Sequence, residues 1–480
     1  MKQLSGLDAA FLTLETHNST GHVGGVCILD PTEAPQLLDL AALTSLMAER
    51  APLIPILRQR LKFVPLGLDQ PYWIDDEFFD IEFHVREICL PTPGSDAQLA
   101  EQVARLHSRP LDRRRPLWEM YLISGLAGGK LAVYTKMHHS AIDGASGAEL
   151  LTVLLDLTPE GKPRTPAPAF TPESAPSSTT LLARAAGSLA KRPLGAVRIA
   201  TIVGRSLPMV GSYVSPYVDA ALGRGSNDGD VISTAPGLAP RTPFNEEITL
   251  HRRFAFRSVS LDDVKTVKNA FGMSVNDVVM AMSAGAVRNW LIDHDALPES
   301  PLVAMVPVSV RDEASKSSLG NKVSAMLASL PTNVSDPVDR LTRAHTATVV
   351  AKAQHATIPP GLIENVTDFA PPALVARAAR VAFATGLLHR IPPYNLVISN
   401  VPGPNVDVFL GGAKLLANYP VSVVTDGQGF NITVNSLGGE LHFGLIGCRE
   451  LVPDIDVIAT YLVDELALLV KLAREAKATV

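Results

Sequence analysis

The chain has 480 residues, 46% of them hydrophobic, and a formal net charge of −6 at pH 7. Such a length carries two or three hydrophobic cores of ordinary size, and the acidic balance excludes a general nucleic-acid binder. Its cysteines, Cys27, Cys89 and Cys448, are odd in number and widely spaced, which fits neither a disulfide framework nor a zinc site and points to a reducing cytoplasm.

The first residues, MKQLSGLDAAF, lack the basic opening and long apolar core of a signal peptide. No uncharged apolar run reaches the roughly 18 residues that span a bilayer, so any membrane contact is expected to be peripheral. Further on, Pro116, Leu117 and Trp118 lie in a turn ahead of a strand expected from Tyr121. Packing of that turn and contact with an apolar substrate are both open readings.

The run from Leu131 to His139 alternates as a β-strand does, with successive side chains on opposite faces. His139 then shares a face with Leu131, Val133, Thr135 and Met137, while His138 shares the other with Tyr134 and Lys136, so the two imidazoles look in opposite directions. An apolar face lowers a histidine pKa below its usual value of about 6.5 and keeps the ring neutral, as a base that takes a proton from a hydroxyl requires. On the residues alone, His139 is either a general base or a satisfied core histidine. Asp143 and Gly144 follow in a tight turn, where the carboxylate holds the loop through backbone amides or a distant arginine. Adjacent strand residues diverge, and neither a cysteine nor an H-E-x-x-H pattern accompanies them, so no metal site is expected.

From Thr158 to Thr180 prolines recur every few residues and no apolar period survives, which marks an exposed, semi-extended linker. Residues 181–218 then mix apolar and small residues with Arg184, Lys191, Arg192, Arg198 and Arg205, and no acid occurs between Glu173 and Asp219. A basic amphipathic segment of this kind suits an anionic lipid surface; the alternative is a connecting helix whose cations face water or the phosphates of a ligand. The expected division is thus 1–157, 158–245 and 246–480.

The last part opens with a strand, FAFRSVSL, followed by two helices. In the second, Val275, Val278, Val279, Met282, Val287 and Trp290 recur at helical spacing, and Ser274 and Asp277 have the spacing of a capping box. Asn276 and Asp277 sit in its first turn, where backbone amides and the helix dipole favour an oxyanion; capping alone also accounts for Asp277. PLVAMVPVSV and YNLVISNV read as strands, FNITVNSLGGELHFGLIG as a hairpin turning at Gly438 and Gly439, and an amphipathic helix runs from Asp454. Arg311 ends the MVPVSV run, placed either to pair with Asp143 or to meet solvent.

HHSAIDG, with His138, His139, Asp143 and Gly144 in place, resembles the HHxxxDG motif of CoA-dependent acyltransferases, which include chloramphenicol acetyltransferase and the non-ribosomal condensation domains. LSGLDAAFLTLET, HVGGVCILD, RPLWEMYLI, SVNDVVMA, MVPVSVR, GNKVS, NLVISNVPGP and FGLIGCRELVPD resemble one branch, the bacterial wax ester synthase/acyl-CoA:diacylglycerol acyltransferases of actinobacterial type, in family order over nearly the whole chain. The resemblance implies an α/β sandwich of two chloramphenicol-acetyltransferase-like domains, with mixed sheets flanked by helices and an active-site tunnel at their interface. It implies acyl-CoA as co-substrate, no bound cofactor, and transfer of a long-chain acyl group to diacylglycerol.

The expected catalytic residues are His139, His138, Asp143 and Gly144; the expected substrate or oxyanion contacts are Asn276, Asp277, Pro116, Leu117, Trp118 and Arg311. A long-chain alcohol is the alternative acceptor, giving a wax ester. The rival of another class is a non-catalytic lipid carrier, which has no use for a base. The expected setting is cytoplasmic, peripheral on a membrane or lipid droplet.

Overall fold

The computed structural model describes residues 1–142, 153–161, 172–188, 190, 238–309, 323–356 and 392–478. Asp143, Gly144, Arg311 and most of the basic segment 181–218 lie outside them.

The N-terminal part runs β1 (Lys2–Gln3), α1 (Gly6–Leu14), β2 (His22–Asp30), α2 (Leu40–Arg50), β3 (Gln59–Lys62), β4 (Tyr72–Asp75), α3 (Ile81–His84), β5 (Val85–Cys89), α4 (Asp96–Ser108), β6 (Trp118–Ser124) and β7 (Leu131–His138). The C-terminal part runs β8 (Arg252–Ser260), α5 (Leu261–Phe271), α6 (Val275–Asp293), β9 (Leu302–Ser309), β10 (Val323–Leu330), α7 (Pro337–Ala356), β11 (Leu396–Val401), β12 (Phe409–Leu410), β13 (Ala413–Val421), β14 (Phe430–Leu437), β15 (Glu440–Cys448) and α8 (Ile455–Ala478). Two six-stranded sheets, ordered β12-β13-β2-β7-β6-β5 and β10-β9-β11-β14-β15-β8, carry the fold, beside a small sheet β1-β4-β3. Both large sheets are mixed: β5 runs parallel to β6, and β11 runs parallel to β9 and β14.

The first sheet is not built from N-terminal strands alone. β12 and β13 cross over from the C-terminal part, and β13 pairs antiparallel with β2 from Lys414 opposite Asp30 to Val421 opposite Gly24. The 246–480 segment therefore contributes to both sheets. Where β13 meets the second sheet the backbones nearly touch: a Cβ on Gly444 of β15 would lie 1.8 Å from the Pro420 carbonyl oxygen.

Alternation sets the layers. In β14, Phe430, Ile432 and Val434 join the core shared with the C-terminal helices. The outer face of the first sheet buries Trp118, Met120, Val133 and Met137 with Leu43 and Met47 of α2. Between the sheets, Tyr134 and Tyr121 pack with Leu99 and Val103 of α4 and with Phe254 and Phe256 of β8. α4 fills that wedge as a capped helix: Ser95 and Gln98 form a capping box, and its apolar stripe faces inward. α6 is buried continuously from Asp277 to Val287, so over this stretch it is enclosed on every side. The hairpin turns at Gly438 and Gly439, whose φ of 58° and 84° are the values a two-residue type I′ turn demands. No single helix among the described residues is long and apolar enough to cross a membrane.

Candidate active site

The paired histidines stand where β7 stops. His138 is its last residue, and His139 opens a short 3-10 turn, His139–Ala141. The strand alternation expected at His139 is thus interrupted by a turn. The neighbouring chains fix the corner: His138 N–H donates to the Leu117 carbonyl at 2.9 Å, and His139 N–H donates to the Gly21 carbonyl at 2.8 Å. As a result both rings meet the same region of chain. His139 lies on Phe11 of α1, and His138 meets Glu15, the C-cap residue of that helix. Residues four apart share a helix face, so one face of α1 and its cap serves both histidines.

His138 is buried and held at each nitrogen. Nδ1 accepts the Ser140 backbone N–H at 3.0 Å and lies 2.6 Å from the Ser140 hydroxyl, which donates to it. A nitrogen that accepts carries no proton, so the proton resides on Nε2, which donates to Glu15 Oε1 at 3.0 Å. The same carboxylate oxygen accepts the Gly21 N–H at 2.5 Å, and the other oxygen pairs with Arg113. Burial raises the Glu15 pKa, but the His138 and Arg113 contacts outweigh it and hold the carboxyl down at about 2. A side chain at Gly21 would crowd the ring: a Cβ would lie 3.0 Å from His138 Nε2.

His139 has the opposite character. Its ring stacks on Phe11 with centroids 4.0 Å apart and planes 18° from parallel. Nδ1 is closed off from solvent and, among the described residues, makes no hydrogen bond to another group. Burial pushes the pKa down to about 4, against a smaller opposing pull from its own backbone carbonyl. The ring is therefore neutral at pH 7 and able to accept a proton.

Behind the pair lies a buried polar layer. Lys136, fully buried, donates to the carbonyls of Leu106 and Arg109 at 3.1 and 2.9 Å and pairs with Glu119 at 3.0 Å. His22, opposite His138 across β2 and β7, is pushed down to about 3 by burial and then by the Lys136 charge. His107 links Tyr134 to the Ser422 carbonyl beyond β13, at 2.7 and 3.0 Å. The layer stiffens the floor of the site and ties it to the crossover strand.

A family model described as the wax ester synthase/diacylglycerol acyltransferase catalytic domain matches residues 4–279, and its C-terminal counterpart matches residues 319–470. The chain belongs to the wax ester synthase/diacylglycerol acyltransferase family. It is 37% identical over 459 residues to a Mycobacterium tuberculosis protein provisionally named a diacylglycerol O-acyltransferase, covering 95% of this chain and 87% of that one. It is 32% identical over 473 residues to an O-acyltransferase of Acinetobacter baylyi, covering 98% of this chain and 97% of that one. Among solved structures, the wax ester synthase/diacylglycerol acyltransferase of Marinobacter aquaeolei matches with TM-score 0.68 and 32% identity over 98% of this chain and 99% of that one. The starter condensation domain of rhizomide synthetase, solved with C8-CoA, matches with TM-score 0.52 at 14% identity over 98% of this chain and 95% of that one, which shows the shared fold alone.

Within this wax ester synthase/diacylglycerol acyltransferase fold, the other expected site residues divide. Leu117 supports His138 through its carbonyl. Pro116 is buried beside it, while Trp118 opens β6, three residues earlier than the strand expected from Tyr121. The Trp118 indole N–H donates to the Leu57 carbonyl at 2.7 Å and its ring stacks on His84, so packing accounts for Trp118. Asp277 completes the capping box with Ser274 and lies 2.8 Å from His345 Nδ1. Burial raises its pKa, and the His345 and Ser274 contacts bring it below the usual carboxylate value. Asn276 stands half-buried beside it in the first turn of α6. No group of three or more His, Cys, Asp or Glu side chains able to hold a metal occurs among the described residues. The sequence reading passed over Phe11, Glu15, Gly21 and Arg113. The first two lie inside LSGLDAAFLTLET, a segment that resembled the family but carried no local sign of contact with the histidines.

Proposed function

We propose that this chain transfers a long-chain acyl group from acyl-CoA to diacylglycerol, forming triacylglycerol, with His139 as general base. The observation that carries the reading is the His139 ring: neutral, stacked on Phe11, with Nδ1 sealed and the ring still half-buried. Nε2 is left to meet the acceptor hydroxyl. It takes the proton as the alcohol oxygen attacks the thioester carbonyl; the C–S bond then breaks, and the CoA thiolate takes the proton from the imidazolium. A ring held near pKa 4 returns that proton readily to a thiolate whose conjugate acid has a pKa of about 8.5. The oxygen goes directly to the acyl carbon, and no acyl-enzyme forms.

His138, locked by Glu15 and Ser140, positions the corner rather than exchanging protons. Asn276 is the proposed oxyanion donor, because the first turn of a helix favours developing negative charge. Asp143, followed by Gly144 in the motif, is proposed to hold the histidine loop, and Arg311 to pair with it or contact substrate. The reading also places the protein in the cytoplasm, peripheral on the lipid surface that holds its acceptor.

The test is thiol release from palmitoyl-CoA with dioleoylglycerol, with hexadecanol, or with neither, and separation of the lipid products. Acceptor-dependent release is expected, with triacylglycerol exceeding wax ester, and His139→Ala is expected to lower it about 10²–10⁴-fold. Preference for hexadecanol moves the reading to wax ester synthesis. Release without acceptor marks a hydrolase, and acyl-CoA binding without release marks a carrier.

A further inference from the structure

The chain is acidic overall, yet residues 105–115 hold Arg105, Arg109, Arg113, Arg114 and Arg115 against the single carboxylate of Asp112. This stretch spans the end of α4 and the loop into β6, and it is pinned to the histidine site at three points. The Leu111 N–H donates to His22 Nε2 at 3.3 Å, Arg113 pairs with Glu15, and the Leu117 carbonyl just beyond receives the His138 N–H. A cationic loop therefore clasps the site from outside.

Its arginines have separate tasks. Arg113 is committed inward, to Glu15 and to the Leu12 carbonyl at 2.9 Å. Arg115 lies over the Phe83 ring, 3.8 Å from its centroid. Arg109 points into solvent while its carbonyl is held by Lys136. Arg114 is 89% exposed and, among the described residues, pairs only with Asp112, two residues back in the same loop. Surface pairs of this kind are weak, so a stronger anion can take over the guanidinium, whose planar fork suits phosphate oxygens.

We propose that Arg109 and Arg114 form the docking site for the nucleotide phosphates of acyl-CoA. The inference rests on the acyltransferase reading, because CoA is the reactant that brings phosphate to this site. Its long pantetheine arm leaves the phosphates outside while the thioester reaches the histidines. A local cationic surface on an acidic protein also steers a polyanion toward this loop. The basic stretch beyond Leu181 is a second cationic segment of the sequence, and most of it lies outside the described residues.

The experiment compares palmitoyl-CoA with palmitoyl-pantetheine, which lacks the nucleotide, in the full-length protein and in Arg109→Gln/Arg114→Gln. Calorimetric binding of CoA is measured alongside. The wild type is expected to prefer the CoA donor, and in the double variant the ratio of kcat/KM values between the two donors falls about ten-fold, with CoA affinity falling in step. The CoA donor should also lose most of its dependence on salt. An unchanged ratio with unchanged CoA affinity overturns the proposal. So does a double variant that loses only cosedimentation with phosphatidylglycerol vesicles, which assigns the loop to lipid phosphates. Arg114→Gln alone, at a fully solvated position, guards against misfolding. If no acceptor supports turnover, the calorimetry still decides: weakened CoA binding keeps the docking site while the transferase reading falls.

Discussion

Phe11 and His139 lie face to face, 4.0 Å between ring centroids, and this contact joins the first helix of the chain to the motif at residue 139. It shields one face of the imidazole from water and so contributes to the burial that holds its pKa down at about 4.

Phe11→Ala should therefore raise the His139 pKa toward the ordinary value of about 6.5. The acidic limb of the kcat/KM profile moves up with it, and hydrolysis of acyl-CoA in the absence of acceptor increases as water gains access. Phe11→Leu, which keeps the apolar cover, should restore most of the difference. An NMR titration of the imidazole ring that shows the same pKa in all three proteins would rule the explanation out.

Glu15→Gln keeps the size of the side chain and one acceptor oxygen but removes the charge that Arg113 pairs with and that strengthens the hydrogen bond fixing the His138 tautomer, and it sets an NH2 donor against either Arg113 or His138. A loss of kcat of about ten- to a hundred-fold is expected with little change in KM, since the group touches no substrate. The steady-state constants check this directly. A rise in KM at constant kcat would place Glu15 on the substrate instead.

Acid should destabilise the fold for a definite reason. His22 and His139 are pushed down to about 3 and about 4, so below the unfolded histidine pKa near 6.5 the unfolded chain binds protons that the native chain does not. Stability is fully present above that value and declines as pH falls toward 4 and 3. Glu15, held at about 2, acts in the same direction between its usual carboxylate value and 2. The midpoint of thermal unfolding should thus fall progressively below pH 6.5. His22→Gln should flatten the upper part of that decline, and an equal slope in both proteins would count against the assignment.

Gly444→Ala tests the crossover. A methyl group at that position meets the Pro420 carbonyl at 1.8 Å, and neither backbone is free to retreat because β13 is paired along β2 and β15 along β14. Overpacking of this sort should cost about 3 kcal/mol or slightly less, read from denaturant unfolding. A neutral result would mean that the sheets separate more easily at β13 than their pairing implies.

Much of the local structure was legible because it depends on neighbours in sequence. The capping box of Ser274 and Asp277, the hairpin at Gly438 and Gly439, and the strand leading into the histidines all follow from spacing, turn chemistry and period-two alternation. The same rules misplaced His139, since alternation carries no signal for the corner that Gly21 and Leu117 impose. They also left Trp118 with two readings until its indole N–H was seen bound to Leu57.

By itself, the sequence determined the chemical identity of the site: two adjacent imidazoles at a strand end, in a motif shared with an acyltransferase family. Tertiary structure decided what each imidazole meets. Glu15 stands 123 residues before His138, and the strand that completes the histidine sheet arrives from residues 413–421. Whether a ring is neutral, which nitrogen holds its proton and whether it faces a carboxylate or an aromatic ring are set by solvent exclusion and by groups brought together in space. Local patterning cannot encode those partners, because their separation along the chain carries no period to read.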